Sequence, residues 1–240
     1  MFPPRCAVCD GLLEPGEDGV HAACEAELFW VENPVCMHCG RPLMSDRAEY
    51  CFDCAKRMHR AEGPQRDGRP FSCLAQGKAV FLYEGAIKRT MYRFKYGNRR
   101  EYADYLADCA CERWGTWIGG RGVEAVVPVP MYRPKERRRG YNQAALFGRA
   151  VAKRMGLAFL PDAVKRVRNT RPQKEVKGAD RENNLKNAFQ TADFIVQYNC
   201  ILLVDDIYTT GSTMEAVAEE LCRAGVGKIY FLAVSIGKGF

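Results

Sequence analysis

Residues 200–213 read Cys-Ile-Leu-Leu-Val-Asp-Asp-Ile-Tyr-Thr-Thr-Gly-Ser-Thr, and this stretch decides the fold. The apolar residues 200–204 predict a buried strand, and Asp205 and Asp206 mark its end. Gly211 permits a tight turn, after which residues 212–224 predict a helix. Backbone N–H groups at the beginning of a helix, together with the positive end of its dipole, favour a phosphate.

The two carboxylates suit the hydroxyl groups of a sugar, or a hydrated divalent cation, beside that phosphate. The plainest alternative is a buried strand that ends in two solvated aspartates. A second alternative is the acidic strand end of a nucleoside triphosphatase, which needs a Gly-x-x-x-x-Gly-Lys-Ser/Thr partner that the chain lacks. The agreement of strand, carboxylate pair and helix start favours a site for a phosphorylated sugar.

Residues 204–213 resemble the phosphoribosyl-pyrophosphate loop of type I phosphoribosyltransferases. The resemblance implies that Asp205 and Asp206 hold the ribose 2′- and 3′-hydroxyls. It implies that the 5′-phosphate is wrapped by the residues of the turn, Thr209, Thr210, Gly211, Ser212 and Thr213. The expected ligand is 5-phosphoribosyl 1-pyrophosphate, with magnesium bridging its pyrophosphate and its ribose hydroxyls.

Two quartets of potential metal ligands near the beginning of the chain repeat with a shift of thirty residues: Cys6, Cys9, His21 and Cys24, then Cys36, Cys39, Cys51 and Cys54. Each quartet offers four ligands with the spacing of a structural zinc site. Disulfides are the alternative. Residues 1–5 lack the apolar segment of a secretory signal, and five further cysteines are scattered along the chain, so zinc in an intracellular protein is favoured. Because four protein ligands leave no open coordination position, we expect both ions to be structural.

Apolar runs alternate with helical patterns over the rest of the chain. Strands are predicted at 79–83, 123–129, 163–167, 188–191, 200–204 and 228–234, and helices at 86–96, 101–113, 142–155 and 212–224. This alternation predicts an α/β fold, a mostly parallel sheet flanked by helices, with ligands at the carboxyl ends of the strands. The expected division is a double zinc ribbon at 1–58, a linker at 59–76 and a phosphoribosyltransferase-like domain at 77–240.

The 240-residue chain carries a formal net charge of +7, concentrated in clusters at 133–139 and 165–181 that flank the expected site. No apolar stretch approaches the length that spans a bilayer. We therefore expect a cytoplasmic protein without membrane insertion.

Further motifs resemble the ComF family, in which a double zinc ribbon precedes a type I phosphoribosyltransferase-like domain. They are Val-Pro-Val-Pro-Met-Tyr at 127–132, Tyr-Glu-Gly at 83–85, Phe-Lys-Tyr-Gly at 94–97, Arg-Arg-Arg-Gly-Tyr-Asn-Gln at 137–143, and the spaced set Thr170, Gln173, Arg181, Asn184, Ala188 and Phe189. The resemblance implies that Pro130, Met131 and Tyr132 contact the pyrophosphate. His21 in place of Cys, Tyr141 in place of Phe, and residues 176–178 depart from the family pattern.

The implied reaction is transfer of the phosphoribosyl group with release of pyrophosphate. The expected catalytic residues are Asp205 and Asp206, with the cations Arg138, Arg139 and Lys174 stabilising charge on the leaving group. Residues 168–183 form a long polar loop that is expected to close over the site. The acceptor nucleophile and the oligomeric state stay open.

The resemblance also implies a role in DNA uptake, with single-stranded DNA and a competence helicase as expected partners. A rival function is therefore a DNA-binding protein whose phosphoribosyl site is a sensor or a nucleotide-end pocket. Its surface would combine Tyr92, Phe94 and Tyr96 with Arg93, Lys95, Arg99 and Arg100. The alternative for this segment is an amphipathic helix with a buried aromatic face, in which Phe94 belongs to the core and the cations are exposed. A third reading is a scaffold with a vestigial site.

Overall fold

The computed structural model describes residues 3–61, 72–168 and 187–238. The predictions for Thr170, Gln173, Lys174, Arg181, Asn184 and the closing loop after residue 168 lie outside these residues. In the described ranges the helices are Ala22–Glu25 (α1), Phe52–Ala61 (α2), Gly85–Tyr96 (α3), Tyr102–Gly119 (α4), Arg133–Arg139 (α5), Gln143–Met155 (α6) and Ser212–Arg223 (α7), with a 3-10 helix at Asp193–Gln197. The strands are Leu74–Leu82 (β1), Ala125–Pro128 (β2), Ala158–Phe159 (β3), Val164–Arg166 (β4), Phe189–Thr191 (β5), Cys200–Tyr208 (β6) and Lys228–Ile236 (β7).

Five strands form one parallel sheet in the order β1-β7-β6-β2-β3. Its central strands are apolar on both faces: β7 is buried from Ile229 to Ile236, and β6 from Cys200 to Val204. Such runs are typical of a sheet covered on both sides. The predicted α/β fold with a mostly parallel sheet is confirmed. Strands β4 and β5 pair antiparallel as a separate two-stranded sheet.

The predicted end of β6 at residue 204 is wrong, because the strand continues to Tyr208. Its neighbour β7 stays paired with it up to the contact between Tyr208 and Ile236. The other neighbour, β2, pairs only as far as Pro128 opposite Val204. Asp205 and Asp206 therefore lie within β6, just beyond the point where β2 ends and the sheet opens on one side.

Other boundaries follow from local chemistry. Helix α6 begins as predicted, since the Asn142 side chain accepts a hydrogen bond from the N–H of Ala144, and it ends at Gly156 with φ +65°. Helix α5 was not predicted. Pro134 fits the first turn of this helix, and Gly140 ends it with φ +90°, so the basic cluster at 133–139 is helical.

Residues 3–61, which carry both quartets and are called the metal-binding module below, pack directly against β1. The N–H of Val31 donates to the carbonyl of Val80 at 2.9 Å, and the N–H of Gly77 donates to the carbonyl of His38 at 2.6 Å. Strand β1 begins at Leu74, within the segment predicted as a linker. The exact division of the chain into domains stays a prediction. No helix within the described ranges combines the length and apolar character that a membrane crossing requires.

Candidate functional site

The acidic pair of β6 is engaged by a lysine from α3. The Nζ atom of Lys95 lies 2.8 Å from Oδ2 of Asp206, and the N–H of Asp206 donates to Oδ1 of Asp205 at 2.8 Å. Desolvation by burial, together with the neighbouring charge of Asp206, raises the pKa of Asp205 to about 8. The pair is therefore short of counter-charge, and Lys95 supplies part of it.

A cavity of about 240 Å³ adjoins Lys95, and its lining is strongly cationic: Lys95, Tyr96, Asn98, Lys135, Arg138 and Arg139. Arg139 is oriented by a hydrogen bond to Oε1 of Gln143 at 2.6 Å, and its guanidinium lies 5.0 Å from the centre of the Tyr96 ring. Much of the Lys135 side chain is exposed, yet desolvation of its ammonium and the positive charges of Arg139, Arg166 and Lys95 lower its pKa. Such a concentration of positive charge favours a multiply charged anion.

The turn after β6 is tight and leads directly into a helix. Gly211 adopts φ +78°, and a Cβ there would lie 2.2 Å from the hydroxyl oxygen of Tyr208. Only glycine fits this position without strain. Any other residue would have to adopt a positive φ, and its Cβ would clash with the Tyr208 hydroxyl. The hydroxyls of Thr210 and Ser212 lie 2.9 Å apart, and α7 begins at Ser212. Thr209 is exposed, while Thr213 is half-buried in the first turn of α7.

The segment predicted to contact pyrophosphate lies at the same edge of the sheet. It follows β2, and the N–H of Val129 donates to the carbonyl of Val204 at 2.9 Å. The side chain of Asn142 donates to the carbonyl of Val129 at 3.0 Å. Pro130 is buried, Met131 is half-buried, and Tyr132 is the N-cap residue of α5. The carboxyl ends of β2 and β6 thus bring 130–132 and the acidic pair together, as expected for parallel neighbours.

The first predicted metal quartet converges in space. The ligand atoms of Cys6, Cys9, His21 and Cys24 lie within 4.8 Å of one another. Nδ1 of His21 lies 3.3 Å from the sulfur of Cys9 and 3.8 Å from that of Cys24. Its other ring nitrogen, Nε2, lies 2.9 Å from the carbonyl oxygen of Leu12. A backbone contact of this kind fixes the ring so that Nδ1 faces the metal, as is usual for histidine ligands.

The second quartet, Cys36, Cys39, Cys51 and Cys54, converges in the same way and is buried throughout. The sulfurs of Cys39 and Cys51 lie 3.6 Å apart, which fits two ligands of one tetrahedral zinc ion at about 2.3 Å each. Hydrogen bonds from Cys39, Cys51 and Cys54 hold the pKa of Cys36 far below its usual range, and those from the other thiols raise the pKa of Cys54 far above it, so the four thiols share their protons until a cation replaces them. The donor sets at both sites support structural zinc.

Three cations of the site were not assigned to it from the sequence. Lys95 lay in the Phe-Lys-Tyr-Gly motif but was counted with a nucleic-acid surface, and Lys135 was one member of a basic cluster. Arg166 of β4 was one member of the basic cluster at 165–181; desolvation by burial lowers its pKa, and the charge of Asp205 opposes that shift. Their convergence depends on how α3, α5 and β4 fold back on β6, which sequence spacing does not contain.

The expectation that the cations around Phe94 are exposed is wrong for several of them. Phe94 is fully buried, as expected. Arg93 donates to the carbonyl of Val8 at 2.6 Å, and Arg99 forms an ion pair with Asp10 at 2.7 Å. Arg93 and Arg99 thus bind the metal-binding module, and Lys95 binds the sheet, because α3 and the residues that follow it lie against both.

Comparisons with known proteins identify one N-terminal domain and several relatives of nearly the whole chain. A model of the double zinc ribbon domain matches residues 1–55. Competence protein F of Haemophilus influenzae is 33% identical over 236 residues, which cover 95% of each chain. The DNA utilization protein YhgH of Escherichia coli K12 is 26% identical over 95% of this chain and 94% of its own. Competence protein ComFC of Bacillus subtilis is 26% identical over 92% of this chain and 89% of its own.

Proposed function

The chain belongs to the competence protein F family, and from this premise we propose that it binds 5-phosphoribosyl 1-pyrophosphate and acts as a phosphoribosyltransferase in DNA uptake. The relatives bear names that refer to competence and DNA utilization, which supports the wider role. One observation carries the proposed chemistry. Asp206 pairs with Lys95, which lines a cavity together with three further cations, and the strand that carries Asp205 and Asp206 leads directly into a glycine turn at the beginning of α7.

Each part of the ligand has a matching group of residues. The 5′-phosphate fits the turn 209–213 at the beginning of α7, where N–H groups and the helix dipole favour an anion. The ribose hydroxyls suit the carboxylates of Asp205 and Asp206 as hydrogen-bond acceptors. The pyrophosphate suits the cationic cavity, where Lys95, Arg138 and Arg139 are placed to bind its oxygens. Pro130, Met131 and Tyr132 are proposed to border it at the end of β2.

The proposed reaction breaks the bond between C1′ and the pyrophosphate oxygen, and the electron pair leaves with pyrophosphate. A lone pair of the acceptor forms the new bond to C1′, and the proton of the acceptor passes to solvent. The residues of the cavity bind the negative charge that develops on the leaving group, while Asp205 and Asp206 orient the ribose. The carboxylate oxygens of the pair are ligands of the kind that magnesium prefers. When bound, magnesium would neutralise part of the pyrophosphate charge. We further propose that the cation of Lys174 helps to stabilise the negative charge on the leaving pyrophosphate. The protein is also proposed to be cytoplasmic.

Calorimetry with 5-phosphoribosyl 1-pyrophosphate, with and without magnesium, tests the proposal. We expect magnesium-dependent binding by the wild type and a loss of affinity of about 100-fold in an Asp205→Asn/Asp206→Asn variant, since the pair loses its negative charge and the charge-assisted contacts that go with it. A Glu219→Gln/Glu220→Gln variant removes two acidic charges from α7, away from the turn, and should bind like the wild type. Absence of binding by the wild type, or equal binding by the Asp205/Asp206 variant, would refute the proposed site.

A second function, direct binding of single-stranded DNA, is favoured by one observation. The side chains of Tyr92 and Tyr96 are 66% and 64% exposed, and their ring centres lie 5.1 Å apart on α3. Exposed aromatic rings beside cations are typical of surfaces on which nucleobases stack. Tyr96 also lines the cationic cavity, so a strand that stacks there would place its phosphates near Arg139.

Fluorescence anisotropy with a labelled oligothymidylate, measured over a range of salt concentrations, tests this second function. We expect affinity to fall steeply with added salt and to drop about 10-fold or more in a Tyr92→Ala/Tyr96→Ala variant. A Phe194→Ala variant removes an exposed aromatic side chain from the 3-10 helix and serves as the control. Equal binding by the tyrosine variant and the control would exclude this surface.

A further inference from the structure

We propose that the second zinc site positions the phosphate loop, with Arg41 and Arg57 as the positioning residues that connect them. The inference rests on the proposed function for its ligand, but the contacts themselves belong to the ligand-free protein. It gives the zinc ribbon a part in the phosphoribosyl site, as a brace that holds residues 209–215 in their binding conformation.

Arg41 connects the two halves of the zinc site to the loop. It lies two residues after the zinc ligand Cys39. Its Nη1 atom lies 2.5 Å from Oδ2 of Asp53, and Asp53 lies between the zinc ligands Cys51 and Cys54. Its other nitrogen, Nη2, donates to the carbonyl of Thr209 at 2.5 Å. Arg41 is only 4% exposed. The zinc ligands on both sides of this guanidinium therefore determine where its donor to the loop can lie.

Arg57 makes the second connection, from α2. It lies three residues after Cys54, so that the zinc ligand fixes the beginning of its helix. Nη2 of Arg57 donates to the carbonyl of Thr210 at 2.6 Å, and Nη1 lies 2.9 Å from Oε1 of Glu215. The hydroxyl of Ser72 donates to the other carboxylate oxygen of Glu215 at 2.6 Å. Both ends of the turn, Thr210 and the first turn of α7, are thus held by one arginine of the zinc module.

A packed column runs beside these hydrogen bonds. Gly40 follows the zinc ligand Cys39, and a Cβ on Gly40 would lie 2.6 Å from the carbonyl oxygen of Gly77. The turn at Gly40 therefore contacts β1 directly. A Cβ on Gly77 would overlap the ring of Phe231 at 2.0 Å. Phe231 stacks on Tyr208 with ring centres 4.7 Å apart, and Tyr208 in turn closes on Gly211. If the turn at Gly40 moves, the close contacts through Gly77, Phe231 and Tyr208 transmit that movement to Gly211.

The internal repeat supplies a natural contrast. A shift of thirty residues places Gly11 opposite Arg41 and Glu27 opposite Arg57. Gly11 has no side chain, and Glu27 forms an ion pair at 2.7 Å with Arg89 on α3, in which both side chains are more than half exposed. The first zinc site instead contacts the helices through Asp10, which is bound by Arg99 and Tyr102. The two loop-binding arginines are thus particular to the second repeat and are not a requirement of zinc ribbon folding.

The physical consequence is preorganisation. A turn that binds phosphate must present its N–H groups together, and an unsupported loop loses conformational freedom each time it does so. Guanidinium donors that hold the carbonyls of Thr209 and Thr210 fix the peptide planes of the turn before the ligand arrives. Binding at the loop and binding of zinc at the second site then become coupled, and the coupling is reciprocal.

The test uses the full-length, zinc-loaded protein and an Arg57→Gln variant, with Arg57→Lys as the conservative replacement. Arg89→Gln removes an exposed arginine from the contact of the other repeat and is the matched control. Amide hydrogen exchange of residues 209–215 is measured without ligand, and the affinity for 5-phosphoribosyl 1-pyrophosphate with magnesium is measured by calorimetry. We expect Arg57→Gln to speed exchange in this segment and to weaken binding roughly 10-fold at unchanged zinc content, with Arg57→Lys between it and the wild type.

Cysteine labelling in the presence of a chelator gives a third readout that distinguishes the two zinc sites. Mass spectrometry follows the alkylation of the second-site cysteines, 36, 39, 51 and 54, beside that of the first-site cysteines, 6, 9 and 24. In the wild type we expect the ligand to slow labelling at the second site, and in Arg57→Gln this protection should be lost.

Two results would overturn the positioning role. One is identical exchange of residues 209–215 in the wild type and Arg57→Gln. The other is that the wild type binds 5-phosphoribosyl 1-pyrophosphate and Arg57→Gln binds it with the same affinity. If the wild type binds no 5-phosphoribosyl 1-pyrophosphate, the proposed function fails on its own, and the exchange measured without ligand still decides whether the zinc site holds the loop.

Discussion

Replacing Lys95 with Met tests whether the acidic pair of β6 depends on the lysine of α3. The ammonium lies 2.8 Å from Asp206, and the two side chains are 20% and 15% exposed. At this distance the attraction is about 6 kcal/mol for an effective dielectric constant near 20, before the cost of desolvating both groups is subtracted. Exposed pairs contribute at most about 1 kcal/mol, and loss of one partner from a fully buried pair costs about 3–5 kcal/mol.

The Lys95–Asp206 pair lies between these limits, so we expect Lys95→Met to destabilise the protein by about 2 kcal/mol. For a chain of this size, such a loss lowers the melting temperature by roughly 4–8 °C. The direction is reinforced by Asp205, because the charge of Lys95 opposes the rise of the Asp205 pKa and its removal leaves two adjacent carboxyl groups without that cation. Methionine keeps much of the apolar stem of lysine, so that the change in packing stays small.

Thermal melts of Lys95→Met, Asp206→Asn and the double variant, at equal zinc content, form a double-mutant cycle that isolates the pair. We expect a coupling free energy of about 1–2 kcal/mol, with the double variant more stable than the sum of the single losses predicts. Lys88→Met, an exposed position on the same helix, should change stability by less than about 0.5 kcal/mol. Additivity of the two single losses within about 0.5 kcal/mol would show that the pair contributes nothing, and the reasoning would be refuted.

Three further changes have defined outcomes. Gly211→Ala should cost about 2–4 kcal/mol in urea denaturation, because its Cβ meets Tyr208, whereas Gly225→Ala, with a similar positive φ and open space, should cost only about 1–2 kcal/mol. Asp10→Asn weakens its bonds to Arg99 and Tyr102 and should lower stability by about 1–3 kcal/mol in the same assay. Removal of zinc by a chelator should unfold residues 3–61, seen as lost amide protection there, since metal binding contributes on the order of 10 kcal/mol to such modules.

The parts of the site that were predictable from the sequence are those encoded by short spacing. The zinc ligands recur at fixed intervals, and the structure brings the eight predicted ligand atoms into two clusters. The turn 209–213 combines an apolar run, a glycine and a helix start within a few residues, so its conformation is local. The roles of Asp205, Asp206 and this turn toward a phosphoribosyl ligand stay predictions.

The parts that were not predictable depend on contacts between distant segments. Lys95 reaches Asp206 across more than one hundred residues, and nothing in its motif distinguishes a cation that enters the site from one on the surface. The end of β6 was placed too early because the pattern stops at the first charged residue, while pairing with β7 carries the strand on to Tyr208. The roles of Arg41 and Arg57 were not predictable, because the carbonyls they bind, those of Thr209 and Thr210, lie more than 150 residues away along the chain.

The distribution of charge weighs against a scaffold with a vestigial site. Burial and the charge of Asp206 raise the pKa of Asp205 to about 8, and desolvation and neighbouring cations lower the pKa of Lys135, so both groups lie where their charged forms are costly to maintain. Uncharged replacements of Asp205 or Lys135 would relieve the repulsion that each meets from its like-charged neighbours, Asp206 in the first case and Lys95 and Arg139 in the second. A fold retained only as a scaffold gains nothing from this cost. A site that binds a ligand carrying both hydroxyl groups and a concentrated negative charge gains the carboxylates and the cations at once, and this is the arrangement that β6, α3 and α5 bring together.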